Sequence, residues 1–184
     1  MRKDFGVKTF FFPLPVLIIG TYDKDGNPNA MNVAWGGIRD YGKIEINLGE
    51  HKTTDNLREN MALTIAFADK DHIVEADYFG IVSGNEVNNK IEKAGLTITK
   101  SKYVNAPIIN EFPVTLECVV ESISEDLSII AKIVNVSARE EYLDEKGNID
   151  VSKLHIISYE PVTHKYIELG SAVGQAFKDG LKLK

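Results

Sequence analysis

The sequence predicts a mainly β protein with a few inserted helices, its strands closing into an antiparallel barrel. Three observations carry this expectation. Short runs of branched and aromatic residues recur along the chain, each bounded by Asp, Asn, Gly or Pro, the punctuation of strands and turns. After Pro113, residues Val114, Leu116, Cys118 and Val120 alternate with Thr115, Glu117, Val119 and Glu121, which separates a buried face from a mainly wet one. Helical spacing appears only in brief stretches between such runs. Closure would remove the exposed sheet edges that invite aggregation.

The elements follow in order along the sequence. Val16 to Tyr22 is rich in branched residues and reads as a first strand. Asp23-Lys24-Asp25-Gly26-Asn27 is a turn, because Asp, Gly and Asn tolerate hairpin backbone angles. Asn29 to Trp35 returns as a second strand and runs into a loop at Gly36-Gly37. Lys43 to Leu48 alternates and makes a third. Thr53 or Thr54 can cap a helix that continues through Arg58, with Asp55 well placed in its first turn. Ala62 to Ala68 is another strand. Ile73 to Val82 predicts a short helix with an apolar face, and Ile81 to Asn85 a loop. Glu86 to Ala94 predicts a further helix that Gly95 stops. Leu96 to Pro107 is irregular and polar. The strand after Pro113 pairs with Leu127 to Ser137 across Ser124-Glu125-Asp126. Glu140 to Lys153 is a looser excursion around the turn Lys146-Gly147-Asn148, and Leu154 to Tyr159 is a last core strand.

Length and composition bound the function. A chain of 184 residues is by default one domain, spanning residues 1–184. Hydrophobic residues make up 43% and charged residues 26%, enough for an ordinary globular core. A formal net charge of −6, with no basic block, argues against nucleic-acid binding, which needs Lys and Arg to neutralise phosphates. The lone Cys118 excludes an intrachain disulfide and a Cys-rich metal site, and it fits a reducing, cytoplasmic setting. The apolar pieces Phe10-Phe11-Phe12 and Val16-Leu17-Ile18-Ile19 are split by Pro13 and Pro15 and end at Gly20. They are too short to cross a bilayer and lack the continuous apolar core of a leader. A buried strand is expected there, and no membrane role.

Two segments carry the functional signal. In Asn29-Ala30-Met31-Asn32-Val33-Ala34-Trp35 a strand ends beside one large aromatic, followed by glycines that let main chain approach a ligand closely. His51-Lys52-Thr53-Thr54 opens a helix, whose unpaired N–H groups and positive dipole end attract anions; Lys52 adds charge and the two Thr hydroxyls add direction. Each has a plain structural alternative: a core Trp at a strand end, and a solvated helix cap. Together they can hold a flat ring system at one end and a phosphate at the other, which points to flavin mononucleotide (FMN). Ser83, Gly84 and Lys90 form a third candidate anion or ribityl contact, against the plain reading of a loop and a surface lysine.

Other chemistries are poorly supported. There is no G-x-G-x-x-G for a dinucleotide fold. His51, His72, His155 and His164 lack metal-ligand spacing. No Ser sits in a nucleophile elbow, and Cys118 falls on the buried face of a strand. The acidic residues lie in turns and on wet faces, and no acid–base couple stands out.

The same residues resemble the flavin reductase-like family, in its flavoredoxin branch. The resemblance runs through Pro15-Val16, Asp25-Gly26-Asn27-Pro28-Asn29-Ala30-Met31, Ala34-Trp35, His51-Lys52-Thr53 and Phe79-Gly80-Ile81-Val82-Ser83-Gly84. It continues through Lys93-Ala94-Gly95-Leu96-Thr97, Ala106-Pro107, Leu116-Glu117-Cys118 and Tyr166-Ile167-Glu168-Leu169-Gly170. It implies an antiparallel split β-barrel that binds FMN non-covalently, as a homodimer with sites near the subunit interface. It also implies redox work, with electrons coming from a reduced nicotinamide or a redox protein. By position, Trp35 would stand beside the ring and Asn29 to Ala34 would line it, with Asn47 and Leu48 completing the pocket. Thr53, Thr54 and Lys90 would hold the phosphate, with Ser83 and Gly84 near its ribityl end. A flavin-binding electron carrier without reductase activity is one alternative, and a cofactor-free binding module on the same barrel is another.

Overall fold

The computed structural model describes residues 1–184. Its strands are β1 (Leu14–Pro15), β2 (Leu17–Tyr22), β3 (Pro28–Val33), β4 (Gly36–Asp40), β5 (Lys43–Asn47), β6 (Ala62–Phe67), β7 (Ile98–Lys100), β8 (Pro107–Ile109), β9 (Val114–Ile123), β10 (Ser128–Ala138), β11 (Ile157–Glu160) and β12 (Lys165–Glu168). Its α-helices are α1 (Lys52–Asn60), α2 (Ile73–Ile81) and α3 (Lys90–Lys93). The main sheet has seven antiparallel strands in the order β3-β2-β6-β9-β10-β5-β4. It curls into an antiparallel split β-barrel. The sheet does not close by hydrogen bonds as the sequence led us to expect. Its edges are β3 and β4, which are consecutive in the chain and joined only through Ala34 and Trp35. A smaller sheet, β1-β11-β12, and the β7–β8 hairpin complete the fold.

β2 explains the continuous apolar run near the start of the chain. All six of its residues are buried, because the strand is covered on both faces. Leu17 and Ile19 point into the barrel with Ile46, Leu63, Ile65, Leu116 and Ile129. Ile18 points outward into a second core with Phe79, Ile91, Ile109, Phe112 and Ile157, which α2 and α3 cover. A side-chain period of two explains the division.

Several expectations shift. Gly36-Gly37, expected as loop, begins β4 and pairs with β5 at Ile46 and Glu45. The predicted helix over Glu86 to Ala94 shrinks to α3, which starts after Asn89 in the left-handed region (φ 57°). The expected irregular stretch from Leu96 to Pro107 contains β7 and the first residue of β8. On β9, Thr115 and Glu117 of the expected wet face are buried. The Ser101 hydroxyl and the Asn135 amide both donate to Glu117, so polar groups rather than water satisfy it.

Gly20 shows how tightly β2 is enclosed. A Cβ there would lie 2.5 Å from Thr64 Oγ1 and 2.7 Å from the Pro107 carbonyl. Gly20→Ala should therefore destabilise the protein by about 1–3 kcal/mol through overpacking, seen as a lower urea midpoint with an unchanged slope.

Candidate functional site

The candidate residues converge where β3, the start of α1 and the α2–α3 connection meet. His51 precedes α1 and provides no side-chain cap, and Lys52 is the first helical residue. Thr53 and Thr54 therefore sit inside the first turn rather than capping it. Their hydroxyls are held in different ways. Thr53 Oγ1 accepts a hydrogen bond from Asn29 Nδ2 at 2.9 Å. Thr54 is fully buried and its hydroxyl donates to the Gly49 carbonyl at 2.6 Å, which fixes the turn entering the helix.

Lys90 opens α3 and points inward, with only 3% of its surface exposed. Its Nζ donates to the Ala30 carbonyl at 2.9 Å and to the Phe79 carbonyl at 3.3 Å, and it lies 5.8 Å from the centre of the Phe79 ring. Its hydrogen-bond partners are carbonyl groups, and no carboxylate pairs with it. Burial lowers its pKa from 10.5 to about 8, so the ammonium still predominates at neutral pH. A buried cation without a counter-charge is costly unless an anion joins it.

Gly84 forms the opposite wall. A Cβ at this position would strike Asn29 Oδ1 and lie 3.2 Å from Lys52 Cβ, so the close approach of loop and strand requires glycine. Lys52 Nζ is 3.4 Å from Asp23 Oδ2. The Asp23 carboxylate is already engaged by the Asn27 backbone and amide and by the Asp25 N–H. These bonds hold its pKa below the usual value against the opposing effect of its desolvation.

These side chains enclose two adjoining cavities. One, about 240 Å³, is lined by Asn29, Met31, His51, Lys52, Thr53, the Phe79–Gly84 segment and Lys90. The other, about 410 Å³, shares Asn29, Lys52, Gly84 and Lys90 and adds Asn27, Asn85, Asn88 and Asn89. Sequence reasoning missed those four asparagines; the clustering of Asn85, Asn88 and Asn89 just before Lys90 was the available signal.

The remaining candidates lie elsewhere. Ala30 is fully buried beneath the helices and contributes its carbonyl to Lys90. Asn32 Nδ2 donates to the Ala76 carbonyl at 2.9 Å and ties β3 to α2. Val33 and Leu48 belong to the barrel core. Ala34 leads to Trp35, which is 59% exposed and whose carbonyl accepts the Asn47 N–H at 2.9 Å. Trp35 and Asn47 line a separate groove of about 540 Å³, with Gly36, Gly37, Ile38 and Phe11 among its other walls. Trp35 is thus a free aromatic surface rather than a core residue.

The arrangement can hold an anion by charge and directed hydrogen bonds, and an aromatic face is available at the separate Trp35 groove. It holds no thiolate nucleophile. Burial, reinforced by the nearby Glu117 charge, pushes the Cys118 thiol up to about 12. The half-buried His72 and the buried Asp69, 2.8 Å apart, lie at the far end of α2.

Lys90 makes anion binding pH-dependent. In titrations of inorganic phosphate between about pH 6.5 and 9.5, affinity should fall by up to roughly tenfold per pH unit above about 8, as the ammonium deprotonates. The ligand-free protein should show the opposite trend. Its cost of burying the charge is fully present below pH about 8 and is relieved as the pH rises from there toward 10.5, because over that window the unfolded chain binds the extra proton.

The family model described as "Flavin reductase like domain" matches residues 9–155. Among solved structures, the flavoredoxin of Desulfovibrio vulgaris (Miyazaki F) is 32% identical, with a TM-score of 0.93 over 98% of this chain and 100% of that one. A flavoredoxin from Methanosarcina acetivorans is 24% identical over the full length of both chains, with a TM-score of 0.86. Nitrilotriacetate monooxygenase component B from Bacillus cereus is 23% identical, covers 90% of this chain and 89% of its own, and has a TM-score of 0.78. The last two likenesses speak to the fold alone. No curated protein matches the chain.

Proposed function

The chain belongs to the flavin reductase-like family, in its flavoredoxin branch, and from that premise we propose that it is an FMN-dependent oxidoreductase. It passes electrons from a reduced nicotinamide or a protein donor through a non-covalently held flavin. It works as a homodimer in the cytoplasm. The single observation that carries this reading is Lys90, a buried cation whose only bonded partners are two backbone carbonyls, beside a glycine wall that admits no side chain. A phosphate monoester supplies the missing counter-charge.

The residues fit such a group. Lys90, Lys52, Thr53 and Asn29 would hold the phosphate, and Ser83 and Gly84 would border the ribityl chain. Met31 and His51 line the same cavity. Trp35, Asn47 and the main chain from Ala34 to Gly37 would meet the ring. Ala30, Asn32, Val33, Leu48 and Thr54 act through position, by shaping β3 and the turn before α1. When bound, the flavin supplies hydride and single-electron chemistry. The chain itself binds, orients and shields, and it needs no acid–base couple of its own. No helix of the chain is long and apolar enough to cross a membrane.

An absorption spectrum of the protein, loaded with FMN and then treated anaerobically with reduced nicotinamide, tests the reading. Bleaching of the flavin band supports a reductase. Bleaching only by a reduced redox protein assigns the carrier role instead. A protein that takes up no FMN refutes the proposal. Lys90→Ala should weaken FMN binding by about 1.5–3 kcal/mol, the usual loss for a charge-assisted hydrogen bond. It should leave riboflavin, which has no phosphate, nearly unaffected in the same fluorescence titration.

A further inference from the structure

We propose that Lys90 is a modification site, acylated on Nζ by acyl phosphates that first enter the anion cavity, and that its acylation releases the flavin phosphate. This rests on the anion-site reading given above and adds a covalent way of switching that site off.

The bonding of Lys90 suits an amine as well as an ammonium. Nζ has three positions beyond its own side chain. Two are spent on the carbonyls of Ala30 at 2.9 Å and Phe79 at 3.3 Å, and the third has no partner within the chain. A neutral amine keeps both N–H bonds to those carbonyls and places its lone pair at the third position. Two fixed acceptors thus orient the lone pair before any reagent arrives. Desolvation brings Nζ to a pKa of about 8, so some neutral amine exists at ordinary pH, the condition that makes a buried lysine nucleophilic. The side chain is 3% exposed yet lines both cavities, so a reagent reaches it only by entering them.

The cavity selects the reagent. Asn29, Lys52, Thr53 and Lys90 line the same space of about 240 Å³. Lys52 supplies a second cation. The Thr53 hydroxyl accepts from Asn29 and keeps its own proton for an anion. An acyl phosphate joins such an anion directly to an electrophilic carbonyl, and a two-carbon one is smaller than the ribityl phosphate arm of FMN. The step is an acyl transfer. The Nζ lone pair forms a bond to the acyl carbon, the bond from that carbon to the phosphate oxygen breaks, and its electron pair leaves with inorganic phosphate. Of the two protons that the ammonium loses, one goes to the departing phosphate and one to water. The product is a neutral amide with a single N–H for two carbonyls. Charge is lost where the flavin phosphate needs it. The carbonyl of Ala30 or of Phe79 is left unpaired, which loosens the tie from α3 to β3 or to α2.

Acetyl phosphate is the probe. Flavin-free protein is incubated with it below saturation, between about pH 6.5 and 9.5, and mapped by peptide mass. Lys90 should gain its acetyl group several-fold faster than any other lysine. Its second-order rate constant should rise roughly tenfold per pH unit and level off above about 8, because the free amine must be neutral to react. The other titratable groups lining the two cavities are Asp23, His51 and Lys52. Lys52, 3.4 Å from the Asp23 carboxylate, should lag behind Lys90. Saturating inorganic phosphate should remove the preference for Lys90, and p-nitrophenyl acetate, which carries no anionic group, should never show it. Protein acetylated at Lys90 should bind FMN about tenfold or more weakly, with a smaller change for riboflavin. Acetylation of Lys90 no faster than that of exposed lysines overturns the proposal, as does a preference that saturating phosphate leaves intact. FMN affinity that survives acetylation overturns its second half. FMN titration of the unmodified protein keeps the two readings apart. A protein that binds FMN while the probe spares Lys90 retains the flavin reading alone. One in which phosphate but not FMN shields Lys90 retains the modification site and loses the flavin reading.

Discussion

Lys90 is the constraint around which the rest of the site is arranged. Its ammonium is bonded to the carbonyl of Ala30 on β3 and to that of Phe79 on α2, while its own backbone begins α3. One charge thus pins three elements together at the edge of the barrel. Two neutral carbonyls satisfy its hydrogen bonds without neutralising it, and the low polarity around Phe79 makes the residual charge strong. Asn29, Thr53 and Gly84 line the same cavity as that charge.

The split in the barrel opens the groove at Trp35. β3 and β4 follow each other in sequence yet lie at opposite ends of the sheet. The chain must cross between them at Ala34 and Trp35, and there the backbone leaves one edge before it joins the other. β3 therefore faces the anion cavity, while the groove begins at Trp35. A closed barrel would have paired these edges and removed the crossing. The exposed tryptophan and the open edge of β4 follow from the same topological fact.

Much of this was legible in the linear sequence. Alternation located β9, pairing across the turn Ser124-Glu125-Asp126 located β10, the branched run located β2, and Asp, Asn and Gly located the hairpin turns, because each rests on local backbone preference. The resemblance to a flavin-binding family rested on ordered short motifs, and the family match agrees with it. The same motifs named Asn29, Lys52, Thr53, Ser83, Gly84 and Lys90, which the fold gathers around one cavity. Less legible were β4, hidden behind Gly36-Gly37, and the shortening of the third helix. Also hidden was the burial of Thr115 and Glu117, which reflects a hairpin folded over them from elsewhere in the chain.

The sequence by itself determined the class of the fold and the order of its longer strands along the chain, since periodicity, turn chemistry and residue type act over a few neighbouring positions. Only the tertiary structure decided that Thr53 lines the cavity while Thr54 turns its hydroxyl to the Gly49 carbonyl, that Lys90 is an interior cation rather than a surface one, and that Trp35 opens onto a groove apart from the Lys90 cavity. Those outcomes depend on segments far apart in sequence. Ala30 and Lys90 are 60 positions apart, so the chain between them must fold before a backbone carbonyl and an ammonium can meet, and no local pattern encodes that encounter.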